Sequence, residues 1–377
     1  MTSDGQAARP NELTEREDGF NYGFRMKCDC GELSDLSAED YLERESLDAR
    51  MSCSHCGASI HYGPAAAGIR DEDDPVLDNA TVARFAWYHS TTSPDWPSDE
   101  YASQVAAQLQ NAERRLGFQF GNYIERKTTK ALHVGTYEAA VENMLRRMHD
   151  QADATSQFYL YRVALDIDNG RINDGYRDEN LEPAAQISLS DLKAEGLDAI
   201  RYLNAHEAIG SLSLAIHPRV IRSLQVIPLP ITDLAAPRSA ALSERLAKLE
   251  AEHDGLKAAA TEWSGIEERR LRSLQLGLTA DPSGVGERAK TVERQGWGLW
   301  DRVFDELAAH YLEGVSPLVQ RDYRDALRDW RRDAGATVSE LADFFAVSAA
   351  TLTHGPAVVQ RLSETEPRPY RGDVVED

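Results

Sequence analysis

Apolar positions along the chain change their period twice. Residues 83–90 (ARFAWYHS), 130–135, 157–166 (QFYLYRVALD), 199–204 (AIRYLN), 211–216 (SLSLAI) and 223–229 (SLQVIPL) are short apolar runs between polar or turn-forming stretches, a pattern that predicts strands. Residues 99–115, 137–149 (YEAAVENMLRRMH) and 189–196 carry a helical period instead. Together they predict a mixed α+β domain over residues 81–232. Beyond the proline-containing stretch at 228–237, Leu242, Leu246, Leu249, Leu256, Ala260 and Trp263 fall at alternating three- and four-residue steps, interrupted at His253. That spacing predicts a long helix over 238–279 with a coiled-coil seam, closed within the chain or by self-association or a protein partner. After a Gly/Pro break at 277–286, residues 287–363, with Trp297, Trp300, Phe304, Leu307, Tyr311 and Trp330, predict a second all-helical region.

The ends and one internal stretch lack such a pattern. Residues 1–18 and 364–377 are poor in apolar side chains and are expected to be disordered tails. Residues 64–80 (GPAAAGIRDEDDPVLDN) combine Gly, Pro and an acidic run and are expected to be a linker.

Composition narrows the function. The 377 residues, 42% hydrophobic and 28% charged, suffice for two or three units with their own cores. A formal charge of -22 repels a phosphate backbone over most of the surface, and no Lys/Arg block announces a local basic patch. Residues 336–352 (ATVSELADFFAVSAATL) have the shape of a helix-turn-helix, with Thr337 or Ser339 capping a first helix, Val347 in the turn and Ser348 capping a second. The second helix would offer no Arg, Lys, Asn or Gln to a base edge, so DNA is disfavoured as a partner. No run of about 18 apolar residues and no basic-then-apolar N-terminus occurs, so neither a membrane span nor a signal peptide is expected and a cytoplasmic location is.

The four cysteines stand in two tight pairs, Cys28/Cys30 and Cys53/Cys56, each followed by a glycine, Gly31 and Gly57. A glycine at that place lets the backbone turn through positive φ so that two thiolates converge on one cation. Residues 19–64 therefore resemble a zinc ribbon with a structural Zn2+ held by Cys28, Cys30, Cys53 and Cys56. The first pair is one residue shorter than the usual knuckle, and His55 and His61 stand by as alternative ligands.

Three segments of the middle domain place polar groups at the ends of apolar strands: Trp87–Thr92, Leu132–Ala140 (LHVGTYEAA) and Gly196–Ser213 (GLDAIRYLNAHEAIGSLS). In that order they resemble the ADP-ribosyltransferase-like superfamily, whose core binds NAD in a cleft between two small sheets. The resemblance covers about residues 81–230 and implies a split-sheet fold with NAD as substrate and an acceptor the sequence does not name. It implies His89 and Ser90 at the first motif, Glu207 as the catalytic glutamate with Asn204 beside it, and His133, Thr136 or Tyr137 at the middle position. The residue types suit the chemistry. A fixed carboxylate stabilises an oxocarbenium-like ribose, a neutral imidazole at His89 hydrogen-bonds ribose hydroxyls, Tyr137 offers a ring face to nicotinamide, and Arg84, Arg162 or Arg201 offsets pyrophosphate charge. The expectation is an NAD-consuming enzyme, an ADP-ribosyltransferase or NAD glycohydrolase. A non-catalytic zinc-containing adaptor working through its long helix, or a zinc/helix-turn-helix transcription regulator, are the alternatives.

Overall fold

A computed structural model describes residues 13–16, 18–45, 47–61, 67–98, 129–151, 153–275 and 285–370, with backbone alone for 263–265, 267–275, 285–290 and 293. The expected helix at 99–115 lies outside the described residues. The N-terminal module is two antiparallel hairpins, β1 (Phe24–Lys27) with β2 (Leu33–Leu36) and β3 (Arg50–Ser52) with β4 (Ser59–His61), separated by helix α1 (Ala38–Glu45). Phe24, Met26, Leu36, Tyr41 and Ile60 make its core, which Leu318 of the helical region also joins.

The middle region holds two four-stranded sheets. One is ordered β6-β10-β9-β8, from β6 (Leu132–Val134), β8 (Arg177–Asp178), β9 (Ala199–Leu203) and β10 (Leu212–Ile216). The other is ordered β12-β11-β7-β5, from β5 (Trp87–Thr91), β7 (Phe158–Leu165), β11 (Ile221–Leu229) and β12 (Arg368–Pro369). They join where Tyr88 and Gly135 exchange both backbone hydrogen bonds, each 2.9 Å. Trp87, Tyr161 and Val163 from one sheet and Val134, Leu203, Leu212 and Leu214 from the other share a single core. Helix α2 (Tyr137–Asp150) starts directly after β6, capped by the Thr136 hydroxyl, and α3 (Leu189–Glu195) carries a Ser188/Asp191 capping box.

The helical region comprises α4 (Ala240–Gln275), α5 (Val285–Tyr311), α6 (Pro317–Ala334), α7 (Val338–Thr353) and α8 (Gly355–Ser363). The leucine seam of α4 is covered within the chain: Leu242, Leu246 and Leu249 are buried with Leu299, Val303, Phe304 and Leu307 of α5 and with α7. The side chain of Trp263 lies outside the described residues.

Four expectations are corrected. Residues 336–352 are not a helix-turn-helix. Helix α7 runs unbroken through Val347, and Ser348 is buried in mid-helix, bonding the Phe344 carbonyl and the Tyr323 hydroxyl at 2.6 Å each. No Gly or Pro interrupts the helical period there, and the real break comes at His354, ahead of Gly355 and Pro356. Residues 67–80 are not a free linker, since Ala67, Ile69 and Val76 are buried and Asp74 caps a short 3-10 turn at Pro75–Leu77. In the N-terminal tail, Thr14 pairs with Phe85, Glu15 binds Arg162, and Arg16 stacks on Trp87 at 4.2 Å. In the C-terminal tail, β12 adds an edge strand to β11. Polar, charged tails can dock where a sheet edge and a buried arginine or tyrosine supply partners that composition alone does not reveal.

Candidate functional site

The two hairpins bring Cys28, Cys30, Cys53 and Cys56 together, with all four sulfurs within 4.8 Å of one another. The short contacts run between hairpins: Cys28 to Cys56 is 3.6 Å and Cys30 to Cys53 is 3.8 Å. Thiolates sharing one tetrahedral metal at about 2.3 Å stand about 3.8 Å apart, whereas a disulfide needs about 2.0 Å. Gly31 (φ +91°) and Gly57 (φ +71°) adopt the left-handed conformation that each knuckle requires. Backbone amides of Cys56 and His55 lower the Cys53 thiol to about 6, with the Ser34 hydroxyl also contributing. His55 and His61 are exposed and stand outside the cluster. These four cysteines can hold a metal ion with a closed shell of sulfur ligands.

The second centre lies where the two sheets meet. A small cavity of ≈ 80 Å³ is lined by the ends of β5, β6, β9 and β10 and by one face of α2. It gathers five of the seven expected residues, His89, Ser90, His133, Asn204 and Glu207, and adds Asn143 and Ser213, which the sequence did not single out. Asn143 follows Ala139 and Ala140 on one helical face, three and four residues on, so helix phase was the available signal.

Glu207 is nearly enclosed, its side chain 12% exposed, and Arg146 pairs with its Oε1. Asn143 Nδ2 donates to the same oxygen at 3.2 Å, and Asn143 Oδ1 accepts from Ser90. Among the described residues both contacts fall on Oε1, leaving Oε2 for a ligand. Burial raises the neighbouring Glu179, whose carboxylate also feels the Glu207 charge while accepting the Ala205 amide at 2.9 Å.

The two histidines are neutral near pH 7. Burial pushes His89 down to about 3, with the His133 carbonyl opposing that shift and the adjacent His133 and Arg147 reinforcing it. Burial likewise lowers His133 to about 4, helped by Lys130. Their tautomers follow from their partners. His89 Nδ1 stands 2.8 Å from the His133 carbonyl, which only accepts, so Nδ1 carries the proton and Nε2 is an acceptor. Its ring stacks on Trp96 with centroids 4.0 Å apart. Around His133, Asn204 Nδ2 donates to Ser213 Oγ at 2.8 Å, and the Ser213 hydroxyl meets that of Tyr202, which lies 3.1 Å from His133 Nδ1. Every donor in this chain finds an acceptor when Ser213 donates to Tyr202 and Tyr202 donates to Nδ1. His133 then carries its proton on Nε2, a buried donor with no partner among the described residues. The cavity thus presents an imidazole acceptor, an imidazole donor and a carboxylate.

Tyr137 and Thr136 do not belong to it. Tyr137 points into the helical core between Phe20 and Tyr88, its hydroxyl donating to the Thr351 carbonyl at 2.7 Å. Thr136 is used up as the α2 cap, its Oγ accepting the Ala139 amide at 3.1 Å. Two helical residues before the cavity face begins, Tyr137 is turned to the opposite side of α2. Nor do the expected pyrophosphate cations reach the cavity. Arg162 binds Glu15 and Gln225, fully buried Arg201 donates to the Gly175 carbonyl and Asn79, and Arg84 is exposed elsewhere. Arg146 stands at the rim through its pair with Glu207. Comparison with known proteins adds nothing to this geometry: no family model, curated protein or solved structure matches the chain.

Proposed function

We propose that the chain is an NAD-consuming enzyme that transfers ADP-ribose to an acceptor, with its N-terminal module organised by a structural zinc. The observation that carries the first part is the convergence of His89, His133, Asn204 and Glu207 on one cavity where two sheets meet. Cleaving the bond to nicotinamide leaves positive charge on the ribose, and a fixed carboxylate beside it lowers that barrier. Glu207 Oε2 supplies the charge, while Asn143 and Arg146 fix the group through Oε1. The acceptor at His89 Nε2 accepts a hydrogen bond from a ribose hydroxyl, and the donor at His133 Nε2 meets a ligand oxygen. Neither imidazole adds repulsion toward a forming cation. At ≈ 80 Å³ the cavity takes only the reacting end of a dinucleotide, since whole-ligand pockets begin at about 300 Å³.

Zinc suits the second centre because four thiolates with 3.6 and 3.8 Å contacts match its tetrahedral shell and leave no open position for catalysis. When bound, the metal ties the two hairpins into one fold, and the reaction is left to the cavity.

The deciding experiment is nicotinamide release from NAD by the purified chain. Glu207→Gln is expected to lower turnover by about 10²-fold or more with an unchanged melting temperature. Wild-type protein that neither binds nor consumes NAD would refute the reading.

A further inference from the structure

Glu142 is a buried carboxyl that lines no part of the cavity, yet it reaches the turn that carries Glu207. Its Oε2 accepts the Ala208 amide at 2.6 Å, and its Oε1 accepts the Tyr22 hydroxyl. Ala208, next to Glu207, has φ +44°, a left-handed conformation that a residue with a Cβ adopts only when its surroundings hold it there. The rest of the turn is tied from other directions. Asn204 grips the hydroxyls of Ser211 and Ser213, the Gly210 amide bonds the Asn204 carbonyl, and the Arg70 amide bonds the Gly210 carbonyl. The Ser211 amide bonds the Ala208 carbonyl, and among the described residues Glu142 is the side chain that bonds the Ala208 amide, next to Glu207.

We propose that Glu142 is a positioning residue: gripped by Tyr22, it fixes the Glu207–Ala208 peptide so that the Glu207 carboxylate faces the cavity. The idea rests on the proposed NAD reaction and deepens it by assigning a second carboxylate that touches no substrate. Charged and titratable groups surround Glu142: Tyr22 from the N-terminal segment, Arg70 from the segment before β5 and Asp322 from α6 act on it directly, and Asp325 of α6, His206 of the turn, and Arg146, His149 and Asp150 of its own helix line the same pocket. Burial raises its carboxyl to about 7, with Tyr22, the Ala208 amide and Arg70 opposing that rise. Ionised, it makes a charge-assisted bond to the amide, and protonated, a weaker one. The grip therefore loosens as pH falls through about 7.

The test compares wild type, Glu142→Gln and Tyr22→Phe on two readouts, nicotinamide release across pH 5.5–8.5 and hydrogen exchange at the Ala208 amide. The expected result for Glu142→Gln is kcat down about tenfold with KM for NAD nearly unchanged, loss of the pH dependence near 7, and Ala208 exchange faster by about tenfold. Tyr22→Phe keeps the carboxylate and is expected to shift both readouts the same way by less. It also serves as the second variant should Glu142→Gln fail to fold. Unchanged kcat and unchanged Ala208 exchange in a folded variant would overturn the proposal. A wild type inert toward NAD would remove the reaction, whereas faster Ala208 exchange in Glu142→Gln would still establish Glu142 as the holder of the turn.

Discussion

Two neutral imidazoles with opposite hydrogen-bonding faces give the cavity its polarity, and both are legible only through their partners. In the sequence His89 precedes Ser90, and His133 stands between Leu132 and Val134. The His133 carbonyl and the Asn204–Ser213–Tyr202 chain decide which nitrogen of each carries the proton. Ring 15N shifts at pH 6 are expected to show His89 protonated at Nδ1, His133 at Nε2, and neither ring cationic. The same burial has a stability consequence. His133 holds a native value of about 4 against an unfolded value of about 6.5, so the unfolded state binds the extra proton between them. Stability is full above that window and falls as pH drops through it, by about 1.4 kcal/mol per pH unit. Glu142, raised to about 7, acts in the opposite direction over about pH 4.5–7. The measurement is therefore a difference: urea stability of wild type relative to His133→Gln, expected to shrink from pH 6.5 toward 4. Tyr137 carries the reverse lesson. Its ring was expected over nicotinamide and instead fills the helical core, so Tyr137→Phe is expected to cost about 1–2 kcal/mol through the orphaned Thr351 carbonyl while leaving NAD turnover intact.

Elements follow from the sequence where local chemistry dominates. The Gly31 and Gly57 turns had to be left-handed for the cysteine pairs to form knuckles, and they are. Strands β5, β7, β9, β10 and β11 fall within or beside the apolar runs expected of them, because four to eight apolar or β-branched residues between turns have few other places to go. Missed elements are those that local sequence does not encode. Two-residue β8 and β12 exist only as edges added to β9 and β11. The small, apolar AVSAA stretch of α7 has a turn-like composition, and packing of Ser348 against Tyr323 keeps it helical. At the metal module the expected outcome is one tightly held metal per chain by elemental analysis, and in Cys53→Ser/Cys56→Ser loss of both the metal and hydrogen-exchange protection of β1–β4. Zinc retained by that double variant would contradict the four-thiolate assignment.

Across the whole molecule, the two chain ends are stitched to the same sheet by one polar network. Glu15 accepts from Tyr88 and Arg162, Arg162 donates to Gln225, and Gln225 donates to the carbonyls of Ser363 and Thr365 at 2.7 Å each. Tyr22 then continues from the N-terminal segment to Glu142 and the Glu207 turn. Removing residues 1–18 leaves Arg162 and Tyr88 without their carboxylate and takes the guanidinium of Arg16 off Trp87. The expected cost is about 3 kcal/mol, read as a lower urea midpoint together with faster hydrogen exchange along β5. No described helix is long and apolar enough to cross a membrane. Surface ion pairs such as Arg245–Glu306 and Arg328–Asp301 stitch helices together at little individual gain.

The sequence by itself determined the cysteine pairs and the order of the described strands and helices through the middle region, because each depends on local periodicity or turn chemistry, while five residues that line the cavity were singled out by the resemblance to a family. Tertiary structure alone decided that residues 13–16, 67–80 and 364–370 are packed, that α7 is one helix, and that Tyr137 belongs to the core while Asn143, Arg146 and Glu142 serve the Glu207 turn. Those outcomes depend on which faces meet across 25 to more than 200 residues of chain, and a side chain's neighbours at that distance are fixed by packing rather than by its own propensity.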